Sequence, residues 1–185
     1  MNNYLAYPFL YDDATDLKCD FEIMADEISS MIGLLRSLLD DKDKNSCPDI
    51  AEDLSKINEL MYHINPSLRT KTTVTAEELE WLFKKTEKLQ KAAAEELPKT
   101  SGADQAKRPA FFIPQGCTPA ALSHVIRTRC KALVRLLSRY KQQGNQVDEI
   151  LFDFVNLYSG YFYSLAIWFN KNHGEAEYPF ISRNY

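Results

Sequence analysis

Three basic residues, Arg127, Lys131 and Arg135, recur at every fourth position and so stack along one flank of any helix that forms there. Like charges at that spacing repel one another, and no acid lies one turn away on the same stretch to offset them. Such a ladder gains from an anion brought by something else, either a carboxylate on another helix or a phosphate group. Arginine suits both, because its planar fork bonds oxygen pairs. The ordinary alternative is a solvated helix face, which is what most charged flanks are.

Metal chemistry finds less support. A carboxylate-bridged di-metal bundle needs Glu-x-x-His, which is absent, and His63, His124 and His173 are scattered. His124 lies beside an apolar stripe, where a lone histidine is more often a hydrogen-bonded core residue than a ligand. Cys19, Cys47, Cys117 and Cys130 form no C-x-x-C pair, and Cys130 reads as a small hydrophobe in a helix seam. There is no Walker-type loop and no Gly-x-Gly-x-x-Gly, so any nucleotide site must be nonstandard. No metal ligand is assigned.

The ladder must be positioned by its helix. Residues 111–117 are rich in turn formers, with Pro114 and Gly116 breaking any preceding element; Thr118 is placed as the cap and Pro119 in the first turn. That helix runs to a stop near Gly144, with Leu122, Val125, Ile126, Cys130, Leu133, Val134 and Leu137 as its apolar seam.

Upstream, periodicity predicts helices over about 16–39 (Phe21, Met24, Ile28, Met31, Ile32, Leu35, Leu38), 48–64 (Ile50, Leu54, Ile57, Leu60, Met61) and 75–96 (Leu79, Leu82, Phe83, Leu89). The third opens on a Thr75–Glu78 capping box. Residues 1–15 read as an irregular aromatic arm and 97–110 as a mobile linker. A last helix over about 146–171 is apolar nearly all round, which places it in the core or at a subunit interface. No strand pairs are expected. The fold class is all-α, a bundle of five helices.

With 185 residues and 45% of them apolar, the chain has enough material for one core, and 1–185 is expected to be one domain. A net charge of −4 and the lack of a basic tract argue against nucleic acid. The start lacks the basic region and apolar run of a signal peptide, so reduced thiols in a cytoplasm are expected. The uncharged run over residues 154–170 is short for a membrane span and contains Asn156, Ser159, Gly160 and Ser164; no membrane is expected.

Residues 111–131, Phe-Phe-Ile-Pro-Gln-Gly-Cys-Thr-Pro-Ala-Ala-Leu-Ser-His-Val-Ile-Arg-Thr-Arg-Cys-Lys, resemble without a gap the signature region of ATP:cob(I)alamin adenosyltransferases of the propanediol-utilisation type. That signature reads Phe, two aliphatics, Pro, a Gly-containing turn, then His-x-x-Arg-x-x-Cys-Arg-Arg-x-Glu. Residues 25–34, Ala-Asp-Glu-Ile-Ser-Ser-Met-Ile-Gly-Leu, resemble the family's first long helix, and Asn156-Leu-Tyr-Ser-Gly-Tyr-Phe is similar in part to its last.

The resemblance implies a homotrimer of five-helix bundles with its active site between subunits. It also implies ATP with Mg2+ and cobalamin as ligands, and transfer of the 5′-deoxyadenosyl group to cobalt(I) with release of tripolyphosphate. By the same resemblance Arg127 pairs across the interface with Asp26, Lys131 stands where an Arg holds phosphate, and Asn156 lies near the nucleotide. Phe111, with Phe112 beside it, sits under the corrin, and Arg135 extends the cationic edge. The family's N-terminal phosphate loop, Thr-Lys-x-Gly-Asp-x-Gly-x-Thr, is missing, and Val134, Leu157 and Gly160 replace its Glu, Arg and Asp. Two outcomes follow: an active adenosyltransferase, or an inactive homologue that keeps the trimeric fold and binds a corrinoid or another anion.

Overall fold

The protein is seen here in a computed structural model that describes residues 8–94, 112–180 and 183. The expectations for Phe111, for the linker 97–110 and for residues 1–7 of the arm lie outside the described residues.

Among the described residues six α-helices follow in order: α1 (Leu17–Ser37), α2 (Asp41–Ser46), α3 (Ile50–Ile64), α4 (Ala76–Ala94), α5 (Thr118–Gln142) and α6 (Glu149–His173). The five long ones are those the periodicity predicts. The short α2 falls where the sequence reading places only a break, in a run of charged residues with no apolar stripe. It forms because Asp40 and Asp43 close a capping box: the Asp43 N–H donates to Asp40 Oδ1 at 2.8 Å and the Asp40 N–H to Asp43 Oδ2 at 3.3 Å. Among the described residues no strand forms; Phe112 and Pro179 make one isolated antiparallel bridge.

The core is built around α6. Phe154, Tyr158, Tyr161, Phe162 and Phe169 are all buried in it, and α4 and α5 pack along its flanks while α1 packs against α3 and α5. Burial of one such aromatic contributes about 2–3 kcal/mol, so this helix is the main apolar contribution to the bundle. Tyr158 stays in the core because its hydroxyl donates to the Ile57 carbonyl at 3.0 Å. By length and composition α6 would suffice to cross a membrane, yet 56% of its most apolar window is already buried inside the fold.

Two seam assignments and one cap are corrected. Val125 is 50% exposed and Phe83 47% exposed, because each stands one residue, about 100° of rotation, from the buried Ile126 and Leu82 that face the core. The α5 cap is Cys117, with no side-chain bond, and Thr118 is the first helical residue. The Thr75–Glu78 box is present, the Thr75 N–H donating to Glu78 Oε2 at 2.9 Å.

The described part of the N-terminal arm is fastened to the junction of α1 and α3. Arg69 Nε is 2.6 Å from Glu22 Oε1 and its Nη2 2.8 Å from Asp12 Oδ2, while its guanidinium lies 4.0 Å from the centre of the Phe9 ring. The Glu22 side chain is 6% exposed, so its charge depends on a close cation. Arg69→Ala is expected to destabilise the fold by about 2–4 kcal/mol in urea unfolding, and Glu22→Gln in that background to restore part of the loss. Unchanged stability of Arg69→Ala would show that the arm is not held by this pair.

Candidate functional site

Helix α5 distributes its cations over two sides. Arg129 turns toward α1 and pairs with Glu27 at 2.9 Å. Arg127, two residues earlier and so about 200° around the helix, turns away from α1 and lies over Tyr163 of α6, 5.2 Å from the ring centre. Lys131 and Arg135 follow at one-turn steps on the Arg127 side and are exposed. No described carboxylate makes an ion pair with any of the three.

Asp26 is not their partner within one protomer. It faces α3, where the Tyr62 hydroxyl donates to Asp26 Oδ1 at 3.3 Å, and it lines a cleft of about 370 Å³ with Leu10, Glu22, Ile23, Tyr62 and Asn65. Asp26 and Glu27 are adjacent on α1 and so point in directions about 100° apart, one toward α3 and one toward α5. The intramolecular tie between α1 and α5 is thus Arg129–Glu27, which the sequence reading missed. The available signal was Glu27 beside Asp26 and Arg129 beside the ladder, two charges that its spacing rule passed over.

Asn156 shares a side with the ladder. Arg127 lies over Tyr163 and Lys141 pairs with Glu149, so fourteen residues on each helix run antiparallel in one register. Asn156, midway between Glu149 and Tyr163, falls level with Val134 and is exposed. Gly160 lies one turn further along, where an added Cβ would meet nothing within 4 Å. Arg127, Lys131, Arg135, Asn156, Gly160 and Tyr163 therefore border one open, cationic face of the α5–α6 pair.

The turn ahead of α5 is tied to the far end of α6. Asn170, 1% exposed, accepts from the Cys117 N–H at 3.1 Å and donates from Nδ2 to the Gln115 carbonyl at 3.0 Å and to Glu177 Oε1 at 2.9 Å. Burial raises the Glu177 carboxyl above the usual carboxylate range, against the opposing pull of that Asn170 bond. The Ile113 N–H donates to the Tyr178 carbonyl at 2.8 Å, which sets Phe112 against the C-terminal tail.

His124 departs from its expected role. It is buried as expected, 4% exposed and tilted against Tyr163, but neither ring nitrogen has a hydrogen-bond partner among the described residues. Burial, helped by the Arg127 charge, lowers its pKa from 6.5 to about 4. Cys130 is fully buried as expected, and its thiol is pushed far up by burial.

His173 is not isolated, as the sequence suggests, but joins Asp40 and Asp43 within 4.8 Å. These contacts form a clasp between α2 and the end of α6. Asp43 Oδ1 takes the Asn172 Nδ2 at 2.8 Å and lies 3.0 Å from His173 Nε2, while Oδ2 takes the Asp40 N–H. The carboxylate's hydrogen bonding is already accounted for by protein groups.

The structure is thus an all-α bundle with a cationic flank on α5 and a turn braced by Asn170 ahead of that helix. The family model described as cobalamin adenosyltransferase matches residues 16–169, and the chain belongs to that family. No curated protein matches it.

Among solved structures the chain is similar to a PduO-type ATP:corrinoid adenosyltransferase of Lactobacillus reuteri. A Phe-to-Ala variant complexed with cobalamin and ATP gives a TM-score of 0.73 at 18% identity, covering 90% of this chain and 87% of that one. A Phe-to-His variant with the same ligands gives 0.72 at 19%, covering 91% and 85%. An Arg-to-Lys variant complexed with ATP gives 0.71 at 19%, covering 90% and 88%. At these identities the likeness concerns the fold.

The His124 environment carries a pH prediction. Its folded pKa is below its unfolded value, so the unfolded chain binds the extra proton more readily, and stability falls as pH drops from about 6.5 through about 4. The loss attributable to this group amounts to at most about 3 kcal/mol near pH 4. His124→Gln should flatten that part of the profile in denaturant titrations at several pH values; an unaltered profile would refute the assignment.

Proposed function

We propose that this chain is an ATP:corrinoid adenosyltransferase that works as a homotrimer, with the open face of α5 and α6 as its nucleotide side. Membership of the cobalamin adenosyltransferase family supports the reading, and so does a fold shared with a protein complexed with cobalamin and ATP. The observation that carries it is the ladder itself: Arg127, Lys131 and Arg135 lie on one face without a described carboxylate partner. Their donors fit a triphosphate, which supplies oxygens along the length such a ladder spans.

The reaction is a displacement at carbon. Cobalt(I) of the corrinoid attacks C5′ of ATP, a cobalt–carbon bond forms, and the C5′–O bond breaks with its electron pair leaving on tripolyphosphate. Cobalt is oxidised formally to cobalt(III), so no outside oxidant is required. Charge builds on the departing oxygen, and Arg127 and Lys131 are the groups we assign to stabilise it, with Mg2+ accompanying the nucleotide. Asn156 is assigned to orient the nucleotide. Phe111 and Phe112 are assigned to the corrin face, where an apolar surface keeps a ligand off the metal.

The trimer reading rests on direction. Asp26 and Arg127 point to different sides of one protomer, so the pair that the family resemblance implies needs a second copy of the chain. Lys131 keeps the charge of an arginine but not its fork. The Arg-to-Lys variant of the Lactobacillus reuteri protein is complexed with ATP, so one such exchange is compatible with a bound nucleotide in this architecture. We further assign the protein to the cytoplasm.

A second reading is favoured by one observation. Val134 and Leu157 pack in part against the core and Gly160 opens onto empty space, where the family pattern carries charge. On that reading the chain keeps the fold and binds a corrinoid or another anion without catalysis.

Incubation with ATP, Mg2+ and chemically reduced cobalamin separates the two: the adenosylcobalamin spectrum is expected. Its absence at high protein concentration, with cobalamin still raising the melting temperature, would leave only the binding role. Within the catalytic reading, Lys131→Arg should tighten ATP binding by roughly threefold to tenfold in equilibrium titration, since a second charge-assisted bond becomes available. Arg127→Ala is expected to weaken the trimer in sedimentation velocity; an unchanged sedimentation coefficient would remove Arg127 from the interface.

A further inference from the structure

We propose that Asn170 is a positioning residue for the corrinoid side of the site, acting through the turn that it holds; this rests on the corrinoid reading above. Its side chain is one of the few fully buried polar groups of α6, and it is saturated. Both amide hydrogens are used, one on the Gln115 carbonyl and one on Glu177 Oε1, and the amide oxygen takes the Cys117 N–H. One carboxamide thereby joins three pieces of chain: the last turn of α6, the turn ahead of α5, and the C-terminal tail.

The fit is specific to this pair of residues. Gly116 has φ +117°, a conformation side chains rarely adopt, and a Cβ there would stand 1.9 Å from Asn170 Oδ1. The turn therefore lies flush on the amide. An aliphatic residue in place of Asn170 would leave the Cys117 N–H and the Gln115 carbonyl without these bonds, and an aspartate would keep only the acceptor.

What the clamp holds is an apolar surface. Ile113 is 45% exposed, Tyr178 54% and Phe180 48%, and the Ile113–Tyr178 backbone bond and the Phe112–Pro179 bridge keep these residues together. Asn170 lies seven residues from Tyr163 on α6, so the surface is about 10 Å along the axis from the Arg127 end of the cationic ladder. A ligand with an apolar plate at one end and anionic groups at the other spans the two, and a corrinoid docked beside a nucleotide has that character. The clamp fixes the first end only.

The test compares wild type with Asn170→Ala, Asn170→Asp and Gly116→Ala, measuring equilibrium binding of cobalamin and of ATP together with amide hydrogen exchange. Asn170→Ala and Gly116→Ala should each weaken cobalamin binding about tenfold or more, leave ATP binding within about twofold, and speed exchange at the Ile113 amide while core amides of α6 keep their protection. Asn170→Asp, which retains the acceptor for Cys117, should fall between. Equal loss of cobalamin and ATP affinity in both turn variants, or cobalamin binding equal to wild type, overturns the inference and leaves the corrinoid reading standing. If wild type itself binds no cobalamin, the corrinoid reading falls and this inference falls with it.

Discussion

The structure depends on the burial of α6. A helix with apolar residues nearly all round needs neighbours on most of its circumference, and α4 and α5 supply them. The only strip left open runs through Asn156, Gly160 and Tyr163. Because α5 must lie alongside to close the core, its outward flank is brought next to that strip. The cationic face is thus a consequence of core packing: the buried aromatics determine which side of α5 remains free, and the three basic residues occupy that side.

That arrangement separates two kinds of charge. Arg129 and Glu27 neutralise each other between α1 and α5, and Arg69 with Glu22 and Asp12 fastens the arm beneath α1 and α3. Both are internal ties, and they use acids of α1. The ladder is excluded from them by helical phase alone, since Arg127 differs from Arg129 by about 200°. A protomer that satisfies its structural charges internally while leaving three like charges side by side, Lys131 and Arg135 exposed and Arg127 half-buried over Tyr163, gains from an anion brought by something else.

Most of the bundle could be read from the sequence because its signal is hydrophobic period. The five long helices, the Thr75–Glu78 box and the glycine stop after α5 each depend on local pattern or on backbone chemistry of single residues. The short α2 escaped because it has no apolar stripe and forms through a side-chain box between two aspartates. Within the site, the shared flank of Arg127, Lys131 and Arg135 was legible from spacing. The role of Asn170 was not: its three partners lie 53 and 55 residues before it and 7 after it, and nothing local distinguishes a clamp from any other polar residue at a helix end. The unpartnered His124 was hidden for the same reason, since burial was predictable and the absence of a bonding neighbour was not.

The departures from the family pattern remove charges of both signs from one part of the structure. Where that pattern carries Glu, Arg and Asp, this chain carries Val134, Leu157 and Gly160, and the second Arg of its Cys-Arg-Arg run is Ala132, so two negative and two positive charges are gone from this part of the α5–α6 pair. The exchange at Lys131 leaves charge unaltered. The local balance is therefore unchanged, while the three cations at every fourth position of α5 are kept. A face that had merely lost its ligand would be free to lose its cations, whose mutual repulsion is relieved by any neutral substitution. Arg127, Lys131 and Arg135 nonetheless stand side by side on α5, and an anion on that face would relieve the repulsion of all three together, through attraction more than through bidentate geometry at Lys131.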